Sequence, residues 1–172
     1  MTEAIVVIRP VLIRPGGIAR EEDAAAVRAA IASVQGWFDR RGVRVLVADP
    51  RQPYCPESLA WFQNYPGGAF FGIQAWCVFR GHVRDGEKVL AIMAGYKEGH
   101  GEAGLSVAAV GYGVVADLRG DEAQVNDALW ILAHEIAHLM GYRHVADPGD
   151  LMSEISSRDY FPAVALSLQG NT

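Results

Sequence analysis

The sequence is poor in cysteine, in clusters of basic residues and in long apolar runs, and each shortage excludes a class of protein. Two cysteines in 172 residues, Cys55 and Cys77, are too few for a disulfide framework and allow one bridge or two buried thiols. The 15 basic residues are outnumbered by 20 acidic ones and form no block, so we expect no nucleic-acid partner. No apolar run approaches the roughly 18 residues that a membrane helix needs, so we expect no membrane partner either.

What is present is the composition of a folded domain. Hydrophobic residues make up 51% of the chain and charged residues 20%, which is typical of globular proteins. The length suits one domain of ordinary size. The first three residues include an acidic one where a secretory leader would be basic, and the apolar stretch that follows is interrupted by Arg9 and Pro10. This favours a cytoplasmic location, with secretion open if a leader is missing from the sequence.

The first fifty residues are typical of a β-α-β unit. Residues 5–8 and 11–13 are rich in β-branched side chains and predict strand, with Pro10 marking a bulge or an edge position. From about residue 20 to residue 41 the apolar positions follow the three-and-four spacing of an amphipathic helix, and Gly42 is placed to end it. Residues 43–47 again predict strand. Such a unit places its two strands side by side and parallel.

Shorter strands and a second long helix are predicted in the remainder. Strands are expected around 70–79 and 88–93, joined by a tight turn at Asp85-Gly86, and again at 105–110 and 114–118. Asp121 has the character of a helix N-cap, and the helix that it opens runs to about Met140. Gly141 is placed to end that helix in a left-handed conformation.

The second helix carries the pattern HExxHxxGxxH, in residues 134–144. Residues four apart lie one above the other on a helix, so His134 and His138 present two imidazoles to one point in space. Glu135 is one step round the helix, close enough to reach a metal-bound water. Gly141 lets the chain turn sharply, after which His144 can return as a third ligand. Three neutral imidazoles leave one position of a tetrahedral zinc ion open for water, which is the arrangement of a catalytic site.

The alternative is that these histidines merely pack in the core or face solvent. That alternative explains the spacing poorly, because three of the five histidines in the chain fall within this one window of eleven residues. The added Gly141 and His144 also make the pattern far more specific than HExxH alone.

HEIAHLMGYRH resembles the zinc-binding signature of the metzincin metallopeptidases. That family also carries a methionine turn beneath the metal, for which Asp150-Leu151-Met152-Ser153 is the candidate. The interval from His144 to Met152 is similar to the matrixin branch, although Val145 stands where matrixins usually have Ser or Thr. The archaemetzincin pattern has cysteines soon after the third histidine, and this chain has none beyond Cys77.

The resemblance implies a fold and a mechanism. The fold would be α+β (α/β-type) and zincin-like, a mixed twisted sheet with two main helices and a short C-terminal subdomain. Residues 1–172 would form a single metallopeptidase domain, with an upper subdomain of about 1–141 and a lower one of about 142–172. The protein would be a zinc endopeptidase acting on a peptide or protein substrate with one catalytic Zn²⁺. In this interpretation Glu135 is the general base, Met152 is an apolar floor beneath the imidazoles, and the metal ligands are His134, His138 and His144.

The resemblance also suggests where substrate binds. The strand near Leu105 to Ala109 would be the edge of the sheet, where an extended substrate pairs through its backbone; an ordinary internal strand is the competing interpretation. Trp130 lies one turn before His134. In matrixin-like enzymes the residue at that place helps to set the depth of the primed-side specificity pocket. We hypothesise that Trp130 makes this pocket shallow and favours small side chains, the alternative being that Trp130 belongs to the core.

Two other functions are compatible with the motif. One is a non-proteolytic protein that keeps the zinc ligands for stability or binding. Glu135 argues against it, because a structural zinc site has no use for a carboxylate beside its ligands. The other is a zinc hydrolase of a non-peptide substrate, which the motif alone does not separate from a peptidase.

Overall fold

The computed structural model describes residues 7–13, 20–51, 86–93, 104–107, 112–115, 122–153 and 165–166. These residues form two long helices, α1 (Glu21–Asp39) and α2 (Glu122–Leu139). They also form five strands, namely β1 (Val7–Ile13), β2 (Leu46–Val47), β3 (Glu87–Met93), β4 (Gly104–Val107) and β5 (Tyr112–Val115). Among the described residues, no helix is both long and apolar enough to cross a membrane.

The five strands form one mixed sheet in the order β2-β1-β3-β5-β4. All neighbours are parallel except β4, which runs antiparallel to β5. The parallel pairing of β1 with β2 across α1 confirms the predicted β-α-β unit. The predicted α+β class with a mixed sheet and two main helices is confirmed as well. β4 lies at the end of the sheet, as far as the described strands extend.

Pro10 is not at the edge of the sheet, because β1 has a strand on each side of it. The interruption that the proline requires lies in the segment that pairs with β1 on one side. That segment advances four residues, from 47 to 51, while β1 advances three, from 8 to 11. The ladder resumes where the Arg51 N–H donates to the Pro10 carbonyl at 2.9 Å. Because the ladder is already interrupted beside Pro10, the lack of an N–H on this residue removes no regular hydrogen bond between the strands.

The core lies between the sheet and the two helices, which contact each other. Trp37 and Phe38 of α1 are fully buried, with their rings edge to face at 5.0 Å. From α2, Leu132, Ile136 and Leu139 are also fully buried. In α1 the buried positions recur at three and four residues, which confirms its amphipathic pattern. In α2 residues 131–137 are all buried, so that part of the helix is covered on every side.

Both helices end in a Schellman turn built on a glycine. Gly42 has a φ of 73° and Gly141 a φ of 101°, the left-handed region that favours glycine. After α2, the Gly141 N–H donates to the His138 carbonyl at 2.9 Å, and the Tyr142 N–H donates to the Ala137 carbonyl at 3.0 Å. The corresponding two bonds follow α1. The role predicted for Gly141 is therefore confirmed.

A lysine from the sheet also holds the end of α2. Lys88 of β3 donates from Nζ to the carbonyl of Leu139, the last residue of the helix. A cation at a helix C-terminus meets the negative end of the helix dipole. Burial lowers the pKa of Lys88 from its ordinary value. The contact fixes the exit of the helix against the middle of the sheet.

Other predicted elements differ in their limits or lie outside the described residues. β1 is one continuous strand where two segments were expected, and β2 is limited to two of the five residues predicted for it. β5 begins two residues earlier than expected. The strand predicted at 70–79, together with Asp85, Ala109 and Asp121, lies outside the described residues.

Candidate metal centre

The three histidines of the motif converge on one point. Nε2 of His144 lies 3.1 Å from Nε2 of His134 and 2.9 Å from Nε2 of His138. One ligand atom from each residue lies within 4.8 Å of the others. His134 and His138 occupy successive turns of α2, with their rings edge to face at 4.6 Å. His144 reaches the same point because Gly141 reverses the chain after the helix.

Backbone carbonyls fix the orientation of two of these rings. Nδ1 of His134 lies 2.6 Å from the Leu151 carbonyl oxygen, and Nδ1 of His138 lies 2.9 Å from that of Tyr142. A carbonyl oxygen only accepts, so Nδ1 is the donor in both rings and the unprotonated Nε2 faces the cluster. A proton on His144 can bridge to only one of these two nitrogens. The unprotonated ring nitrogens thus converge on one place, where a bound cation would interact with all of them.

The dimensions suit zinc. Zinc–nitrogen bonds of about 2.0–2.1 Å place two nitrogens of a tetrahedral site roughly 3.3 Å apart. The separations of 2.9 and 3.1 Å between these nitrogens are close to this. His134 is 7% exposed, His138 is half-buried and His144 is exposed. The cluster is therefore closed on the side of α2 and open towards solvent at His144, where water or a substrate can approach.

The protonation states also suit a metal. Burial lowers the pKa of His134 to about 4, against the opposing effect of its hydrogen bond with the Leu151 carbonyl. Burial likewise lowers the pKa of His138, again against a bond with a carbonyl, that of Tyr142. Both imidazoles are therefore neutral at pH 7, and the neutral form is the one that binds a metal ion.

Glu135 lies beside this cluster without being part of it. Among the described residues, the side chains that could together hold a metal ion are the three histidines alone. Glu135 is 3% exposed and follows His134 on α2, about 100° further round the helix. A carboxylate in that place is next to the candidate ligands without being one of them.

The turn that follows the third histidine supports His134 through the Leu151 carbonyl. The Val145 N–H donates to the Met152 carbonyl at 3.0 Å, and the Leu151 N–H donates to the Ala165 carbonyl at 2.8 Å. Leu151 is fully buried and Met152 is 1% exposed. The turn thus places one backbone carbonyl against a histidine ring and a buried thioether side chain next to it in the chain.

The residues suggested for substrate binding are described only in part. Trp130 is half-buried, and its ring stacks on that of His134 with centroids 4.8 Å apart and planes 26° apart. Leu105 lies in β4, at the end of the described sheet, and α2 contacts this strand. Ala109 lies outside the described residues.

The sequence did not point to the carbonyls of Leu151 and Tyr142, and it named Asp150 only as part of the candidate methionine turn. A backbone carbonyl has no signature in residue type, so no pattern could have found the first two. Asp150 carried a weak signal, since Asp often accepts a hydrogen bond from the N–H two residues on. It does so here, accepting from the Met152 N–H at 2.7 Å.

The two Schellman turns allow a matched test of the metal centre. Replacing Gly141 or Gly42 by alanine should destabilise the fold by about 1 kcal/mol each, because both glycines have positive φ. We expect weaker zinc binding only for Gly141→Ala, since only that turn carries the chain to His144. Thermal unfolding and a zinc titration would measure both effects. Equal zinc affinities in the two variants would contradict the importance of the Gly141 turn.

The fold recurs in zinc peptidases of known structure. An archaemetzincin from Methanopyrus kandleri superposes with a TM-score of 0.63 and 14% identity, over 98% of this chain and 93% of that one. A zinc-dependent peptidase from Methanocorpusculum labreanum gives 0.53 and 16% identity, over 94% and 96% of the two chains. An archaemetzincin from Archaeoglobus fulgidus, solved with malonate, gives 0.54 and 12%, over 95% and 96%.

These comparisons show a zincin-like α+β fold. No protein-family model matches the chain, and no curated protein sequence matches it closely enough to count as a relative. At the identities found, the likeness concerns the fold.

Proposed function

We propose that the protein is a zinc-dependent endopeptidase of the metzincin type. The observation that carries the proposal is the convergence of three imidazole nitrogens, two of them oriented as acceptors by backbone carbonyls. The shared fold with zinc-dependent peptidases supports it. The ligands would be His134, His138 and His144 around one zinc ion.

When bound, zinc would supply a Lewis acid that acidifies a water molecule and polarises a carbonyl group. Glu135 would accept the proton of the attacking water and deliver it to the leaving amine, as a general base and then a general acid. Its burial beside His134 suits this role, because the carboxylate is held next to the ligands. Protonation of the amine completes the cleavage of the peptide bond.

Met152 would be the methionine of the turn beneath the metal, and its burial is consistent with an apolar floor. The proposed domain would divide at Gly141, with residues 1–141 above the site and 142–172 below it. The matrixin branch, suggested by the interval from His144 to Met152, stays a prediction. Two of the structures that share the fold are archaemetzincins, although this chain has no cysteine after the third histidine.

The substrate would bind as an extended peptide along β4. β4 is the last strand of the sheet among the described residues, and the outer side of such a strand can pair with an extended peptide. Leu105 lies on β4, and the prediction places Ala109 at its far end. Trp130, stacked on His134, would make the pocket shallow for the side chain that follows the cut bond. We therefore propose a preference for small side chains at that position.

Metal analysis combined with cleavage of a mixed peptide library tests the proposal. We expect about one zinc ion per chain, cuts within peptides, loss of cleavage with a chelator, and small residues after the cut. Trp130→Ala should admit larger residues there. Zinc bound without any cleavage would instead indicate a non-proteolytic zinc protein or a hydrolase of another substrate. Cuts dominated by Leu or Phe after the bond would contradict the role proposed for Trp130, but not the peptidase activity.

A further inference from the structure

One peptide group joins a buried carboxylate to a histidine of the metal centre. The Leu151 carbonyl accepts from Nδ1 of His134 at 2.6 Å. The N–H of the same peptide group belongs to Met152 and donates to Oδ1 of Asp150 at 2.7 Å. A peptide group is planar and conjugated, so its carbonyl and N–H are fixed relative to each other. Asp150, the peptide and His134 therefore form one continuous chain of two short hydrogen bonds.

We propose that Asp150 is a positioning residue for the metal centre and acts on His134 through this peptide group. The inference rests on the proposed metal site. A carboxylate that accepts from the N–H polarises the peptide and makes its carbonyl a stronger acceptor. The carbonyl then holds the His134 ring in one orientation and one tautomer, with Nε2 towards the metal. In many metal sites a carboxylate bonds the ligating histidine directly; here one peptide lies between them.

The burial of Asp150 is consistent with a role for its carboxylate near a cation. The residue is fully buried, and a carboxylate taken out of water is costly unless hydrogen bonds and nearby positive charge compensate it. A cation held by three neutral imidazoles provides such a charge.

The turn around Asp150 is held firmly enough to transmit the effect. The Asp150 N–H donates to the Asp147 carbonyl at 3.2 Å, and the Ser153 N–H donates to the Asp150 carbonyl at 3.1 Å. The Leu151 N–H is held by the Ala165 carbonyl at 2.8 Å. The peptide group that bonds His134 is thus held by hydrogen bonds of the residues before and after it and by the bond between Leu151 and Ala165.

The same loop contains a matched control. Asp147 is exposed, and its Oδ1 accepts from the Gly149 N–H at 2.9 Å, in the same local geometry that Asp150 makes with Met152. Among the described residues, no hydrogen bond joins the peptide that Asp147 bonds to one of the three histidines. Asp147→Asn therefore repeats the chemical change without the connection to the metal centre.

The test compares Asp150→Asn, Asp150→Ala and Asp147→Asn with the wild type. Asparagine keeps an acceptor oxygen and removes the charge, whereas alanine removes both. We expect zinc affinity, measured by competition with a chromophoric chelator, to fall by about 10-fold or more in Asp150→Asn and further in Asp150→Ala. Asp147→Asn should bind as the wild type does. An Asp150→Asn affinity within twofold of the wild type would overturn the proposal.

A second measurement does not depend on activity. Ring ¹⁵N NMR of the metal-free wild type should show His134 protonated at Nδ1, with a slowly exchanging proton. The Nε2–H tautomer in its place would overturn the proposal. A purely structural role for Asp150 would lower stability without changing the tautomer, so a mixed tautomer in a folded Asp150→Ala supports positioning. A wild type that binds no zinc would refute the proposed function itself. Equal zinc binding by all variants would refute only the role of Asp150.

Discussion

Replacing Glu135 by glutamine should lower the rate of peptide hydrolysis by about 10²–10⁴-fold while zinc stays bound. The amide is nearly the same size as the carboxylate but accepts no proton at neutral pH. Glu135 is 3% exposed and lies beside the histidines without being one of the candidate ligands. The change should therefore affect proton transfer and leave the affinity for zinc nearly unchanged. Turnover of a library-derived peptide and the zinc content of the same sample would be measured together.

Glu87 offers a matched control for this experiment. Its side chain is 9% exposed and forms an ion pair with Arg9 at 2.6 Å, on the sheet. Glu87→Gln makes the same chemical change to a buried glutamate away from the histidines. We expect lower stability, because Arg9 loses its charged partner, but normal turnover per folded molecule. Turnover above a tenth of the wild-type value in Glu135→Gln would contradict the general-base role.

The second large effect is expected at His144, the ligand that α2 does not carry. Zinc present at 100 times its dissociation constant stabilises a folded protein by about 2.7 kcal/mol. In a domain of this size that raises Tm by roughly 5–10 °C. His144→Ala should abolish this rise, because the two remaining imidazoles form an incomplete site. Since His144 is exposed, the metal-free variant should melt close to the metal-free wild type.

Melting curves with zinc and with chelator would measure this effect. Arg143→Ala is the matched control, since Arg143 is the exposed neighbour of His144 and is not among the candidate ligands. It should keep the full rise in Tm. A rise of similar size in His144→Ala would show that the third histidine does not hold the metal.

Local sequence determined much of the fold and most of the metal centre. Helix periodicity, the glycine turns after α1 and α2, and the shared face of His134 and His138 all depend on residues within one or two turns of each other. Such relations are fixed by helix geometry, so the pattern HExxHxxGxxH was sufficient to predict them. The convergence of His144 with the other two followed from Gly141, only three residues before it.

The tertiary structure alone decided the order of the strands and the support of the centre. Pro10 could lie inside the sheet because the chain beside it is bulged, a fact about residues 47–51. His134 is oriented by the carbonyl of Leu151, 17 residues away, and Lys88 meets the end of α2 across 51 residues. Contacts at such separations are made by packing of the whole domain. The groups involved are often backbone carbonyls, which every residue carries, so the sequence could name the ligands but not what holds them.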